Sequence, residues 1–65
     1  MEIGKRIAVL REKAGLSQRQ LAEALGVTQG MIGQIERGTK GVSLQLGKAM
    51  AAALNVDILE IIGRD

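Results

Sequence analysis

Residues 18–37 read QRQLAEALGVTQGMIGQIER, and this stretch decides the fold because it predicts two helices separated by a very short connection. Ser17 is a favourable N-cap for the first helix, over 18–25, and Gln20 three residues later completes a capping-box pattern. Thr28 is a favourable N-cap for the second helix. A connection of about three residues forces the two helices into early contact. The stretch therefore predicts one compact two-helix unit.

Small and apolar residues inside this unit have definable structural roles. Ala22 supplies the small side chain needed where the helices approach, and Gly26 tolerates the positive φ that the turn requires. Ile32 belongs to the apolar inner side. The residues left on the outer side of the second helix are polar or small and nearly free of negative charge, namely Gln29, Gly30, Gly33, Gln34 and Arg37.

Capping residues and glycines divide the rest of the chain in the same way. Four apolar residues recur at helical spacing before Gly15 and predict an inward-facing stripe on an N-terminal helix, made of Ile3, Ile7, Leu10 and Ala14. Ser43 is the predicted cap of a helix over 44–54, and Asp57 that of a short helix through residue 62. No segment alternates with a period of two, so no strand is predicted. We expect an all-α fold of five short helices in one compact domain spanning 1–65.

The composition excludes several classes of function. The chain has no Cys, His, Pro or aromatic residue. Disulfides, zinc sites built on Cys or His, nucleophile–His catalysis and base stacking on aromatic rings are therefore excluded or disfavoured. The seven acidic residues are scattered, and no phosphate-binding loop of the GxxxxGK[ST] type is present. We expect no enzymatic activity, metal, cofactor or small-molecule substrate.

Charge and hydropathy indicate the kind of partner. Residues 1–48 carry eight basic and four acidic side chains, whereas 49–65 carry one basic and three acidic ones. The basic part favours a polyanion as partner, although an ordinary solvated surface would also fit this modest charge. The longest apolar run, over 49–54, is far shorter than a membrane span needs, and the N-terminus lacks a signal-peptide stretch. We expect a cytoplasmic protein without membrane contact.

The two-helix unit resembles the helix-turn-helix of lambdoid phage repressors and Cro proteins, a pattern shared by the xenobiotic-response-element (XRE) family of bacterial regulators. Ala22, Gly26 and Ile32 match the small, turn and buried positions of that family. The flanks also resemble the family, and the likeness spans residues 3–62. Val42 and Gly47 depart from it, because relatives often have proline and a large aliphatic residue there. Gly47 therefore suggests a shallower core.

The resemblance implies that the helix over 29–37 lies in the major groove of B-form DNA, with its N-terminal residues against base edges. Gln29 is then the first candidate for base readout, because a glutamine amide pairs bidentately with adenine. Gln34 is a second candidate, one turn further on. Gly30 and Gly33 either allow a close approach to the bases or make this helix less specific than most. Without the resemblance, Gln29 would be read as an ordinary solvated residue.

Other residues are implied to contact the DNA backbone or to hold the scaffold. The implied phosphate contacts are Gln18, Thr28, Arg37, Lys40 and Arg11. The resemblance also pairs Arg11 with Glu36, which makes Glu36 a structural residue, as Ala22, Gly26 and Ile32 are. Solvated positions remain the alternative for Gln18 and Lys40.

The C-terminal part predicts a contact with a second copy of the chain. Leu46 and Leu59 are apolar at positions expected to be exposed, and together with Ile62 they suggest a symmetric dimer. A crowded end of a small core is the alternative. The function expected from the resemblance is a sequence-specific regulator of transcription, acting as a repressor that binds a palindromic operator as a homodimer. An antitoxin-like interaction module, in which DNA binding is secondary, is the alternative function.

Overall fold

A computed structural model describes residues 2–63 and contains, within that range, five α-helices and no strand. The helices are α1 (Ile3–Lys13), α2 (Gln18–Leu25), α3 (Gln29–Arg37), α4 (Leu44–Leu54) and α5 (Ile58–Ile62). The expected all-α class, with five short helices, is confirmed. None of these helices is long and apolar enough to cross a membrane.

Side-chain caps fix where the helices begin. The Ser17 hydroxyl accepts the Gln20 amide at 3.0 Å, and Gln20 Oε1 accepts the Ser17 amide at 2.8 Å, so the predicted capping box is formed. Thr28 caps α3 by accepting the Met31 amide at 3.1 Å. Asp57 and Glu60 form a second capping box that sequence reasoning did not identify. The start of each of these helices is therefore set by its own local sequence.

The turn between α2 and α3 depends on Gly26. Its φ of 71° lies in the left-handed region, where a Cβ atom is unfavourable. The Gly26 amide donates to the carbonyl groups of Ala22 and Glu23 and thereby closes the end of α2. Gly26 thus has the positive φ that the sequence predicted for the turn of the helix-turn-helix over 18–37.

The core is aliphatic and lies between all five helices. Ile7, Ile32 and Ile61 are fully buried, and Ala22 is 2% exposed. The predicted inner stripe of α1 is only partly correct, because Ile3 is 37% exposed and Ala14 is exposed. Ile3 is the first residue of α1 and Ala14 its C-cap, so both lie at the ends of a helix whose middle meets the core.

Two expectations about α4 are wrong. Leu46 was expected to be exposed, but it is partly buried and packs against the core. Gly47 was expected to leave the core shallow, but it is itself buried. A Cβ added at Gly47 would lie 3.6 Å from Ile58 Cδ1 and 3.8 Å from Val42 Cγ1. Neighbouring side chains therefore occupy the space that a larger residue would fill.

Gly4 brings α1 directly onto the end of α3. A Cβ added there would collide with the carbonyl oxygen of Ile35 and would lie 2.7 Å from that of Glu36. Both are backbone atoms, which cannot rotate away as a side chain could. Gly4 lies three residues before the buried Ile7 and so on the same helical face, a spacing that could have indicated a close approach. The missing side chain sets the distance between α1 and α3.

Substitution of Gly4 by alanine should destabilise the fold by about 1–3 kcal/mol, because the added methyl group forces two helices apart. Chemical unfolding followed by circular dichroism measures the change. Gly41→Ala is the matched control, since a Cβ there meets nothing within 4 Å and the backbone does not need positive φ. The control should be neutral or slightly stabilising. Equal stability of the two variants would contradict the close approach at Gly4.

Candidate nucleic-acid interface

One face of α3 collects the residues that the sequence assigned to base readout. Gln29 and Gly33 are four residues apart, as are Gly30 and Gln34, so the four form adjacent rows on the helix. Gln29, Gly30 and Gln34 are exposed. The structure therefore places three of the four predicted base-reading residues together on an accessible surface.

Gly33 differs from this group because it is buried. A Cβ added at Gly33 would lie 3.1 Å from Arg37 Nη1 and 3.8 Å from Gln18 Oε1. The side chains of Arg37 and Gln18 therefore cover it. Gly33 lies on the same side of α3 as Gly30 but is not accessible there, because the side chain of Arg37, one turn further along α3, folds back over it.

An ion pair holds α3 to α1. Arg11 Nε donates to Glu36 Oε2 at 2.7 Å, and Arg11 Nη2 donates to Glu36 Oε1 at 3.2 Å. The side chains are only 12% and 8% exposed, respectively. Arg11 Nη1 also donates to the Leu16 carbonyl at 2.7 Å. All three guanidinium nitrogens thus have a protein partner, so Arg11 acts first as a structural tie; its predicted phosphate contact stays a prediction.

Gln18 adds α2 to the same carboxylate. Its Nε2 donates to Glu36 Oε1 at 2.9 Å, an orientation required because a carboxylate can only accept. Gln18 Oε1 is thereby turned towards Gly33. This bond was missed by sequence reasoning, which treated Gln18 only as a phosphate contact. One N–H of the amide remains for a phosphate.

The network changes the titration of its members. Burial alone would raise the pKa of Glu36, but the hydrogen bonds from Arg11 and Gln18, with the charge of Arg11, outweigh it and leave the pKa below its ordinary value. The hydrogen bond to Glu36 raises the pKa of Arg11 against the opposing effect of burial. Both groups are therefore charged at neutral pH.

The surroundings of α3 favour an anionic partner. Glu36 is the single acidic residue between 28 and 40, and it is covered and paired. Arg37 and Lys40 are exposed in the same segment. Thr28 accepts from Met31, and its hydroxyl hydrogen is free to donate. Within residues 2–63, no cluster of three or more side chains suited to holding a metal ion is present.

A family model described as helix-turn-helix matches residues 7–61 of this sequence. The chain belongs to this helix-turn-helix family. The resemblance to repressors of the lambdoid type is thereby confirmed, since this family includes relatives named as phage repressors.

Three members of the helix-turn-helix family show how far the likeness extends. The immunity repressor protein of Bacillus phage phi105 is 34% identical over 65 residues, which cover all of this chain and 45% of that repressor. Antitoxin PezA of Streptococcus pneumoniae is 33% identical over 63 residues, 97% of this chain and 40% of the antitoxin. The P22 c2 repressor, solved in complex with a synthetic operator, superposes with a TM-score of 0.89 at 26% identity, covering 100% of this chain and 98% of that one. This chain spans less than half the length of the two curated relatives.

The helix-turn-helix unit is followed by an exposed apolar surface on α5. Leu59 is 42% exposed and Ile62 is 43% exposed, and their spacing of three residues places them side by side. Arg6 Nη1 donates to the Ile62 carbonyl at 3.2 Å and ties α5 to α1. Two of the three residues predicted for a dimer contact are therefore accessible, whereas Leu46 belongs to the core periphery.

Acid should weaken the fold through Glu36. A carboxylate whose pKa is lowered on folding contributes stability above its unfolded pKa, near 4.3, and loses that contribution as the pH falls through the folded value. The thermal midpoint of the natural chain should therefore drop steeply below about pH 4.3. Glu36→Gln should flatten this drop, and at neutral pH it should cost about 3 kcal/mol because the covered Arg11 loses its anionic partner.

Glu23→Gln is the matched control for this titration. Glu23 is 65% exposed and pairs with Arg19 at 3.4 Å on the surface of α2. Such a surface pair contributes little to stability. The control should follow the pH profile of the natural chain, and a Glu36→Gln profile that also followed it would contradict the role assigned to the network.

Proposed function

We propose that this protein is a sequence-specific double-stranded DNA-binding regulator of transcription, acting as a repressor that binds its operator as a homodimer. The observation that carries the proposal is the exposed face of α3, which has no acidic side chain. The covered carboxylate of Glu36 holds this helix in place through Arg11 and Gln18. The operator complex of the P22 c2 repressor, which has the same fold, supports this assignment.

Gln29 is the proposed reader of base sequence. It is the first residue of α3 and is exposed, directly after the Thr28 cap. Residues at this end of the second helix of a helix-turn-helix lie against base edges in the major groove. A glutamine amide offers adenine a donor and an acceptor in the required geometry, and Gln34 extends the same surface by more than one turn.

Backbone contacts would supply most of the affinity. Lys40 lies in the turn that follows α3. Thr39 fixes this turn, because its amide and its hydroxyl both donate to the Gln34 carbonyl, at 2.9 Å and 3.1 Å. Thr28 and Gln18 are the proposed neutral donors to phosphate. Because neutralised phosphates release counterions, binding should fall steeply with salt. Bound over a promoter, the protein would exclude polymerase.

The size of the domain favours two copies on one operator. Its principal extents are 29 × 24 × 20 Å, shorter than the roughly 34 Å between half-sites in successive major grooves. One copy therefore reaches one half-site. The exposed Leu59 and Ile62 are the proposed contact between copies, related by a two-fold axis as in a palindromic operator.

The antitoxin-like alternative has one observation in its favour, the identity with PezA across nearly the whole chain. The same part of the chain is equally similar to the phi105 immunity repressor, and it superposes fully on the operator-bound P22 c2 repressor. An exposed face on α3 is what a DNA-binding repressor requires, and both of these relatives are repressors. The repressor is therefore the better-supported function.

Selection of bound sites from random duplex DNA should yield a palindrome, and variants of the protein should divide into two classes. Gln29→Ala should relax the preference at one base position per half-site, at a cost of about 1–3 kcal/mol on the selected duplex. Lys40→Ala should weaken all duplexes alike and reduce the salt slope by about 1. Gln45→Ala, an exposed glutamine on α4, is the control and should change neither quantity. A Gln29→Ala variant with undiminished site preference would contradict the readout assignment.

The dimer contact can be tested by removing its apolar surface. Leu59→Ser combined with Ile62→Ser should shift sedimentation equilibrium towards the monomer and weaken binding to a palindrome more than to a single half-site. Leu44→Ser removes a leucine that is 61% exposed on α4 and should leave the association unchanged. A natural chain that stays monomeric at all accessible concentrations, with and without the palindrome, would refute the proposed interface.

A further inference from the structure

The two glycines inside α3 have opposite surroundings. A Cβ added at Gly30 meets only Thr28 Oγ1, at 4.0 Å, and Gly30 is exposed. Gly33 is buried although it lies on the same side of the helix. The three atoms nearest to a Cβ built at Gly33 all belong to two polar side chains, those of Arg37 and Gln18. The absence of a side chain at Gly33 therefore has a specific consequence for those two groups.

The first of these groups is the guanidinium of Arg37. Arg37 is four residues beyond Gly33, so its side chain projects along the same row of the helix. Nη1 and Cζ lie 3.1 Å and 3.9 Å from the place where a Cβ of residue 33 would be. A separation of 3.1 Å is tighter than most Cβ contacts, so a methyl group at residue 33 would displace the guanidinium by at least a few tenths of an ångström. Glycine at this position thus lets the Arg37 guanidinium approach α3 more closely than a residue with a Cβ would allow without a shift of the guanidinium.

The second group is the amide of Gln18. Its Nε2 is held by Glu36, and its Oε1 lies 3.8 Å from the place where a Cβ of residue 33 would be. The positively charged guanidinium and this acceptor thus meet over the same glycine. Gln18 belongs to α2, and the first helix of a helix-turn-helix crosses the DNA backbone. A guanidinium beside Gln18 therefore lies nearer to phosphates than to base edges.

We propose that Gly33 is a positioning residue for phosphate binding: it seats the Arg37 guanidinium beside Gln18, so that the two side chains together bind one phosphate of the duplex. This inference rests on the proposed function. It replaces the sequence-based assignment of Gly33 to base readout. The guanidinium supplies a bidentate, charge-assisted contact, and Gln18 supplies the N–H that Glu36 leaves free.

The test compares Gly33→Ala with Gly30→Ala, because both replace a glycine of α3 by a residue that favours the helix. The probes are the duplex selected by the natural chain and an unrelated duplex of the same length. Gly33→Ala and Arg37→Ala should each weaken binding to both probes by about tenfold at moderate salt and reduce the salt slope by about 1. The double variant should be no weaker than Arg37→Ala, since both changes remove the same contact. Gly30→Ala changes a position assigned to base readout, so it should leave the salt slope unchanged whatever its effect on base preference.

Two results would overturn the proposal. Gly33→Ala that altered the preferred base at one position, with the salt slope intact, would show that residue 33 faces the bases. If the binding free energies lost in Gly33→Ala and Arg37→Ala add up in the double variant, the two residues act separately.

A measurement without DNA separates this inference from the proposed function. In the free protein, the α protons of Gly33 should show a nuclear Overhauser effect to the guanidinium protons of Arg37, whose Nη1 is the nearest atom to a Cβ built at residue 33. The absence of this effect would refute the contact between Gly33 and the Arg37 guanidinium, even if the protein binds a palindrome. If the effect is present but the protein prefers no duplex over another, the contact between Gly33 and Arg37 exists in the free protein. The proposed function and the phosphate contact would then both be refuted.

Discussion

The carboxylate of Glu36 is the point on which the arrangement of the first three helices depends. It accepts two hydrogen bonds from Arg11 of α1 and one from Gln18 of α2, while it belongs to α3 itself. A carboxylate this well covered is tolerated only because its partners replace the lost water. This one group therefore ties α3, and with it the residues on its outer face, to both α1 and α2.

The rest of the fold supports that orientation with short-range packing. Gly4 allows α1 to approach the backbone at Ile35 and Glu36, so the ion pair forms across a close contact. Fully buried Ile7, Ile32 and Ile61 fill the centre without aromatic residues. A domain of this size has a small stability margin, so the agreement of caps, turns and core is needed for a rigid surface on α3.

The starts of helices could be predicted accurately from the sequence, whereas the burial of individual residues could not. The starts of α2, α3 and α4 followed from Ser17, Thr28 and Ser43, because an N-cap and the helix it begins are adjacent in the sequence. The resemblance to the XRE family supplied the Arg11–Glu36 pair, which is 25 residues apart in sequence. Burial was harder to predict: Leu46 turns towards the core and Gly33 is covered, because both outcomes depend on side chains from other turns or helices.

The glycines of α3 illustrate the limit most clearly. In the sequence, Gly30 and Gly33 are indistinguishable: small residues on a polar helical face. In the structure they differ because Arg37 and Gln18 converge on only one of them. No periodicity contains that information, since it depends on the path of a long side chain and on the amide orientation that Glu36 imposes.

Chemical-shift mapping of the isotopically labelled chain, titrated with its selected duplex, tests most directly whether α3 is the surface that meets DNA. The amide signals of residues 28–34 and 37–41, with that of residue 18, should shift most and saturate together at one protein copy per half-site. Signals in those segments that stay in place while the duplex binds elsewhere would contradict the assignment of α3 as the reading helix.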